Sequence, residues 1–153
     1  MKLSVLAVGQ MRGQKEAPLF DTYAARISKT GRALALDGLG VTEIKDQAGA
    51  NSKIEDALAA APNAFVVALD ERGKSLASRA FAEKLAHWRD DGTREVIFVL
   101  GAADGLSETL RQRANMLIAL GPMTWPHILA RVLLAEQIWR AISILANHPY
   151  HRD

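Results

Sequence analysis

The sequence has no cysteine, no long uncharged hydrophobic run and no strong excess of one charge. Without cysteine the chain can form no disulfide framework, no thiol nucleophile and no thiolate metal site. The net charge of +2 neither requires nor excludes a nucleic-acid partner, so any contact with RNA must come from a local surface. The apolar run at residues 3–8 is too short for a secretory signal and is typical of a first strand. We expect a cytoplasmic protein.

Apolar segments of strand length alternate with segments of helical periodicity along the whole chain, which shows no internal repeat and no convincing linker. The segments 65–69, 96–100 and 116–120 are continuously apolar, as in strands covered on both faces. At 153 residues the chain is long enough for one domain with a real core. The pattern predicts a single α/β domain over residues 1–153, with a mostly parallel sheet and helices on both faces.

The predicted elements follow from this periodicity. Ser52 and Glu55 fit a capping box at the start of the second helix. The predicted strands are 3–8, 41–44, 65–69, 96–100 and 116–120. The predicted helices are 15–27 with a possible extension to 36, one that starts near 52 and stops before Pro62, 78–91, 106–114 and 128–146.

The helix predicted over 128–146 is apolar around most of its circumference. Its charged residues, Arg131, Glu136 and Arg140, do not share one face. A helix of this kind is buried on more than one side, which favours burial between its own sheet and a second subunit. A central core helix of a monomer is the alternative. Three charges in this length argue against a membrane span, and Glu136 with Arg140 is interpreted as an ordinary helix pair.

Glycine-bearing loops follow each of the three continuously apolar strands. Leu69 leads into 70–74, Leu100 into 101–105 and Leu120 into 121–126. Ligands of open α/β sheets bind beyond the carboxyl ends of the strands, and glycine lets a ligand approach the backbone closely. Each loop alone is more typical of an ordinary turn. Together the three loops predict a shared cleft, although their spacing matches neither a dinucleotide fingerprint nor a P-loop.

The C-terminal residues are unusually rich in titratable and aromatic side chains. His148, Tyr150, His151 and Arg152 lie within a few residues of the end of the sequence. A chain end is normally frayed and chemically bland. The composition of this tail therefore predicts a surface that binds a polar partner.

A resemblance to a known family rests on five segments that recur in order, 5–9, 69–74, 98–106, 123–127 and 147–152. The most distinctive of them ends in His148-Pro149-Tyr150-His151-Arg152. Together they resemble the bacterial ribosomal large-subunit pseudouridine N3-methyltransferase family, the H-type enzyme of the SPOUT class. The resemblance spans essentially the whole chain. It implies a C-terminal trefoil knot, a homodimer, S-adenosylmethionine as cofactor and large-subunit rRNA in the ribosome as partner, with no metal and no membrane.

The resemblance also implies a set of cofactor-binding residues. By position these are Leu69, Gly101, Leu120, Gly121, Pro122, Met123, Thr124 and Trp125. One residue departs from the family pattern, since relatives commonly have a second glycine where this chain has Ala102. The additional methyl group would narrow the approach to the cofactor slightly.

The implied reaction is displacement at a sulfonium methyl group by N3 of the pseudouridine, whose proton must leave. His148 and His151 are the candidates for this role because histidine titrates near neutral pH. The equally weighted alternative is that they only hold phosphate or sugar. Arg152 and Tyr150 suit phosphate contact and base stacking, and Arg131 in the long helix could reach the same cleft.

Two other functions remain open at this point. One is a knotted methyltransferase that acts on a different RNA, such as tRNA. The other is a ribosome-binding protein that has kept the fold but not the catalysis, which Ala102 alone favours.

Overall fold

The computed structural model of the chain describes residues 1–45 and 47–151. Within these residues the strands are β1 (Lys2–Val8), β2 (Asp37–Ile44), β3 (Phe65–Ser75), β4 (Glu95–Leu100) and β5 (Met116–Ala119). The α-helices are α1 (Ala17–Gly31), α2 (Ala50–Ala59), α3 (Ser78–Asp90), α4 (Glu108–Arg113) and α5 (His127–Leu145), and a short 3-10 helix (Arg32–Leu34) extends α1. None of the described helices is both long and apolar enough to cross a membrane.

The strands form one sheet in the order β2-β1-β4-β3-β5, and every pairing is parallel. The carboxyl ends of all these strands therefore lie at one edge of the sheet. The prediction of an α/β fold with a mostly parallel sheet and helices on both faces is confirmed.

Two apolar cores cover the two faces of the sheet. Successive residues of β4 point to opposite sides, so Phe98 and Leu100 join one core while Ile97 and Val99 join the other. The first core contains buried residues of α1, α3 and α5 (Ile27, Phe81, Leu85, Leu134 and Ile138). The second contains buried residues of α2 and α4 (Ile54, Leu58 and Leu110). This double coverage explains why the central strands are continuously apolar.

Two predicted starts of elements are wrong. Helix α2 begins at Ala50 after Gly49, which has a φ of 64°, and no side chain caps its first turn. Ser52 therefore lies inside the helix and forms no capping box. Strand β2 begins at Asp37, before the predicted start, because its backbone already pairs with β1 at Lys2 and continues past a bulge.

Most of the burial of α5 is achieved within one subunit. Its buried positions, from Arg131 to Ser143, contact α1 and α3 as well as the sheet. The alternative of a core helix within one chain thus accounts for much of its apolar surface. A stripe of partly exposed apolar residues, Leu129, Leu133 and Ile144, remains along the outer face, and Leu129 is 38% exposed.

The backbone of β3 approaches β5 unusually closely at Gly73. Strand β3 pairs with Ile118 twice, through Leu69 and again through Lys74, so the intervening residues leave the ladder and return. A Cβ atom on Gly73 would lie 2.4 Å from the carbonyl carbon of Ile118. Since the obstacle is backbone rather than a flexible side chain, only glycine fits here without a shift of the strands.

Replacing this glycine should destabilise the protein. For Gly73→Ala we expect the free energy of unfolding to fall by about 3 kcal/mol, because the new methyl group must displace a paired strand. Chemical denaturation of purified protein measures this change.

The matched control is Gly40→Ala in β2, where an added Cβ would lie 3.6 Å from the hydroxyl oxygen of Ser4, an ordinary contact. Its unfolding free energy should stay within about 0.5 kcal/mol of the wild type. Equal stability of the two variants would contradict the close approach of β3 and β5.

Candidate functional site

A cleft of about 270 Å³ opens at the carboxyl ends of β3, β4 and β5. The sheet places it there because these three parallel strands end at the same edge, as the sequence predicted. Its lining comes from residues 69–72 of β3, from the loops after β4 and β5, from α4 and from the first turn of α5. The loop predicted at 70–74 is wrong as a separate element, because β3 leaves the ladder there and returns to pair with β5 as far as Ser75. The lining residues include Leu69, Asp70, Glu71, Arg72, Gly101, Ala102, Asp104, Leu106, Arg111, Leu120, Gly121, Met123, Thr124, Trp125, His127 and Ala130.

Two glycines shape the mouth of the cleft. A Cβ on Gly101 would lie 2.8 Å from the Cδ2 atom of Leu106, so a side chain at this position would displace the cleft wall. Gly121 has a φ of 104°, a conformation that side chains with a Cβ rarely adopt. Both loops therefore turn where backbone N–H and C=O groups can come close to a ligand.

An ion pair between the floor of the cleft and α4 was not predicted from the sequence. The Arg111 guanidinium lies 3.6 Å from the carboxylate of Asp70, whose side chain is only 6% exposed, and it also pairs with Glu108 at 3.0 Å. The Arg111 guanidinium also donates to the carbonyl oxygen of Leu106, which lies in the loop after β4. The hydrogen bond from Arg111 lowers the pKa of Glu108 below its ordinary value. Arg111 thus connects α4 with Asp70 in β3 and with the loop after β4.

The loop between β5 and α5 forms the outer wall of the cleft. The indole Nε1 of Trp125 donates a hydrogen bond of 3.2 Å to the carbonyl oxygen of Leu120, which closes the loop on itself. Met123 at the mouth is 72% exposed, and Trp125 is 40% exposed. His127 begins α5 and also lines the cleft, although sequence reasoning gave it no role.

The structure brings nearly all of the predicted cofactor residues together. Leu69, Gly101 and the loop that begins at Leu120 line one cleft, and of the predicted set Pro122 alone lies outside its lining. Ala102, the departure from the family pattern, is buried with the core between the sheet, α2 and α4. Its φ is not positive, so alanine is accommodated there without backbone strain. The role of these residues in binding a cofactor stays a prediction.

The C-terminal tail lies at the other end of α5, and none of its described residues lines the cleft. The backbone N–H of His148 donates to the carbonyl oxygen of Ser143 at 2.8 Å, and the Tyr150 hydroxyl donates to Glu136 at 2.9 Å. Glu136 is nine residues beyond His127, which corresponds to ~14 Å along a helix. Within one chain, His148 and Tyr150 are therefore separated from the cleft. His151 is partly exposed, and Arg152 lies outside the described residues.

Arg131 is buried rather than presented to the cleft. Its side chain is 1% exposed and forms an ion pair with Glu43 at 2.6 Å. It also donates to the backbone carbonyl oxygens of Val8 and Gly9, while Glu43 accepts from the N–H of Met11 at 2.7 Å. These contacts bind α5 to the ends of β1 and β2. A contact of Arg131 with RNA would require this ion pair to open, so the geometry favours a structural role.

The profile of a family described as "Predicted SPOUT methyltransferase" matches residues 1–151 of the chain. The chain belongs to this SPOUT methyltransferase family. Membership confirms the family, the methyltransferase class and the SPOUT type of α/β fold that the resemblance implied. Methyltransferases of the SPOUT class use S-adenosylmethionine, in agreement with the expected cofactor. The trefoil knot stays a prediction.

Full-length relatives support the same placement within the SPOUT family. The chain is 50% identical to the ribosomal RNA large subunit methyltransferase H of Cereibacter sphaeroides strain KD131, over 99% of each chain. It is 48% identical to the protein of the same name from Rhizorhabdus wittichii, over 100% of this chain and 99% of the relative. A probable methylase family protein of Haemophilus influenzae has a similar fold, with a TM-score of 0.55 at 12% identity over 99% of this chain and 70% of that one.

The contribution of the buried ion pair between Arg131 and Glu43 to the stability of this SPOUT domain can be tested by substitution. In Glu43→Gln the guanidinium of Arg131 stays buried without a negative partner, so we expect the unfolding free energy to fall by about 2 kcal/mol. Thermal or chemical unfolding measures the loss.

A suitable control is Asp91→Asn, which removes an exposed carboxylate 3.1 Å from His87 on α3. Surface pairs of this kind contribute little, and no measurable change is expected. If Glu43→Gln were as stable as this control, the ion pair of Arg131 with Glu43 would not stabilise the packing of α5 against β1 and β2.

Proposed function

We propose that this chain methylates N3 of a pseudouridine in 23S ribosomal RNA, with S-adenosylmethionine as methyl donor. The observation that carries the proposal is the cleft at the carboxyl ends of β3, β4 and β5, because nearly all of the residues implied for the cofactor line it. The name of the full-length relatives supports ribosomal RNA of the large subunit as the substrate.

The lining of the cleft suits this cofactor. Leu69 and Leu120 provide apolar walls, and Gly101 and Gly121 line the cleft, where their backbone groups are proposed to bind an adenine edge. The lining carries the carboxylates of Asp70, Glu71 and Asp104 against the guanidinium groups of Arg72 and Arg111, and this small excess of negative charge suits a ligand with a positive charge. When bound, S-adenosylmethionine supplies an electrophilic methyl group on a cationic sulfur.

The remaining requirements of the reaction fall to the protein and its RNA. The base must be held in line with the methyl group, and such positioning contributes much of the acceleration. The N3 proton must also be removed or the resulting anion stabilised. We propose His148 and His151 for this role, or for holding phosphate or sugar beside the base. Tyr150 and Arg152 are proposed to contact the RNA by stacking and by phosphate binding.

The separation of tail and cleft within one chain supports a homodimer. A two-fold axis across α5 sets two copies of the helix antiparallel, so the tail of one subunit lies near the cleft of the other. The partly exposed stripe of Leu129, Leu133 and Ile144 provides an apolar surface for such packing. We propose that each site combines the cofactor cleft of one subunit with the tail of its partner, and that the protein acts on ribosomes in the cytoplasm.

Cofactor binding tests the cleft directly. Isothermal titration of the wild-type protein with S-adenosylmethionine should give saturable heat. Gly101→Ala should weaken binding at least about tenfold, because its methyl group would push the Leu106 side chain into the cleft.

Gly40→Ala, at the far edge of the sheet, should bind like the wild type. Absence of heat from the wild type at millimolar cofactor argues against the proposed function. Equal affinity of the Gly101→Ala variant argues against this placement of the cofactor.

Transfer of labelled methyl groups tests the substrate and the tail together. Ribosomes from a strain that lacks this protein should accept the label on one 23S pseudouridine, and His151→Ala should reduce the rate about a hundredfold if the imidazole moves the proton. His87→Ala on α3, remote from cleft and tail, is the control. Label on tRNA instead would favour the other-RNA function, whereas ribosome binding without incorporation would favour the non-catalytic one.

A further inference from the structure

The side chain of Glu136 has more partners than an ordinary helix pair requires. One carboxylate oxygen accepts from the Arg140 guanidinium and from the Tyr150 hydroxyl, the latter at 2.9 Å. The other accepts from the Gln137 amide at 2.6 Å. The carboxylate is largely buried, with 13% of the side chain exposed. The interpretation of Glu136 and Arg140 as a simple surface pair is therefore incomplete, because the same carboxylate also holds the tail.

Aromatic contacts complete this attachment of the tail. The ring centroids of Tyr150 and Trp139 lie 5.5 Å apart. The guanidinium carbon of Arg140 lies 5.0 Å from the centroid of the Tyr150 ring. The ring centroids of His148 and Trp139 lie 5.3 Å apart in an edge-to-face arrangement, and Nδ1 of His148 accepts a hydrogen bond of 3.2 Å from the backbone N–H of Tyr150. Rings on both sides of Pro149 are thus packed against the last turns of α5.

The hydroxyl of Tyr150 remains a donor over the whole working range of pH. Burial raises the pKa of Tyr150 above its ordinary value, and hydrogen bonds with Tyr23 and Glu136 raise it further. A neutral hydroxyl that donates to a carboxylate forms a stronger bond than two neutral groups do. Glu136 therefore offers a persistent attachment point for a segment that would otherwise fray.

We propose that Glu136 is a positioning residue for methyl transfer, which holds Tyr150 and thereby sets the place from which His151 meets the RNA. The inference rests on the proposed function of the tail at the partner's cleft. His151 directly follows Tyr150 in the chain. Holding the tyrosine in place therefore restricts the imidazole of His151 to positions close to Tyr150. An ordered tail reaches the substrate without losing conformational freedom at that step.

The first experiment observes the tail without any need for activity. The protein has four histidines, so the ring-proton NMR signals of His148 and His151 can be assigned by substitution. In Tyr150→Phe and in Glu136→Ala, these signals should move toward the positions of a free histidine, since the ring current of Trp139 no longer acts on His148. Glu136→Gln should restore part of the shift, because its amide oxygen can still accept from Tyr150.

The matched control is Ser78→Ala, which removes the hydroxyl 3.3 Å from Gln137 on the same stretch of α5 and for which no hydrogen bond to the described residues of the tail is seen. Its histidine signals should match those of the wild type. Histidine signals that stay unchanged in Tyr150→Phe would overturn the inference.

The second experiment separates positioning from simple stabilisation. Below the unfolding temperature, Tyr150→Phe should lower kcat of methyl transfer about tenfold while the Kd for S-adenosylmethionine stays unchanged, because the cleft lies at the opposite end of α5. Glu136→Gln should recover part of the rate, and Ser78→Ala should keep all of it. A lower unfolding temperature with unchanged kcat would overturn a positioning role.

The two experiments distinguish the failure of this inference from that of the proposed function. If the wild type transfers no methyl group to ribosomes, the proposed function fails, and the catalytic part of the inference fails with it. An active wild type whose Tyr150→Phe variant keeps both the tail signals and kcat contradicts the inference alone.

Discussion

The burial of α5 is the constraint on which the cleft and the attachment of the C-terminal tail both depend. This 19-residue helix packs against α1, α3 and the sheet, so its two ends are held at a constant separation. His127 and Ala130 line the cleft near its first turn, whereas Glu136, Trp139 and Arg140 hold the tail farther along. The ion pair between Arg131 and Glu43 connects the helix to β1 and β2, which fixes its rotation as well as its position.

Under the proposed function, a rigid connection of this kind is the reason that one chain would not form a complete site by itself. The tail cannot leave the carboxyl end of α5 without breaking the contacts of Glu136 and Tyr150. The proposed antiparallel second copy would remove the difficulty, because it would bring a second tail to the first cleft with every contact intact. The same arrangement would link activity to dimer formation.

Much of the fold was predictable because strands that are covered on both faces have a simple sequence pattern, a continuous run of apolar residues. The segments 65–69, 96–100 and 116–120 are apolar at every position, and each forms a strand of the parallel sheet. The boundaries were less predictable. Helix α2 begins at Ala50, ahead of the apparent capping box at Ser52. Gly49 precedes it in a left-handed conformation and ends the preceding turn. Strand β3 continues to Ser75 because it pairs a second time with β5.

The sequence by itself determined the order of strands and helices, the glycine loops after β4 and β5 and the unusual composition of the tail. These features are local, and periodicity and backbone freedom reveal them without knowledge of neighbours. Only the tertiary structure decided that Arg131 is enclosed by Glu43 and the end of β1, that Arg111 in α4 pairs with Asp70 in β3, and that Glu136 binds Tyr150. Each of these contacts joins residues from different elements or from opposite ends of a turn, and their pairing depends on how the helices pack.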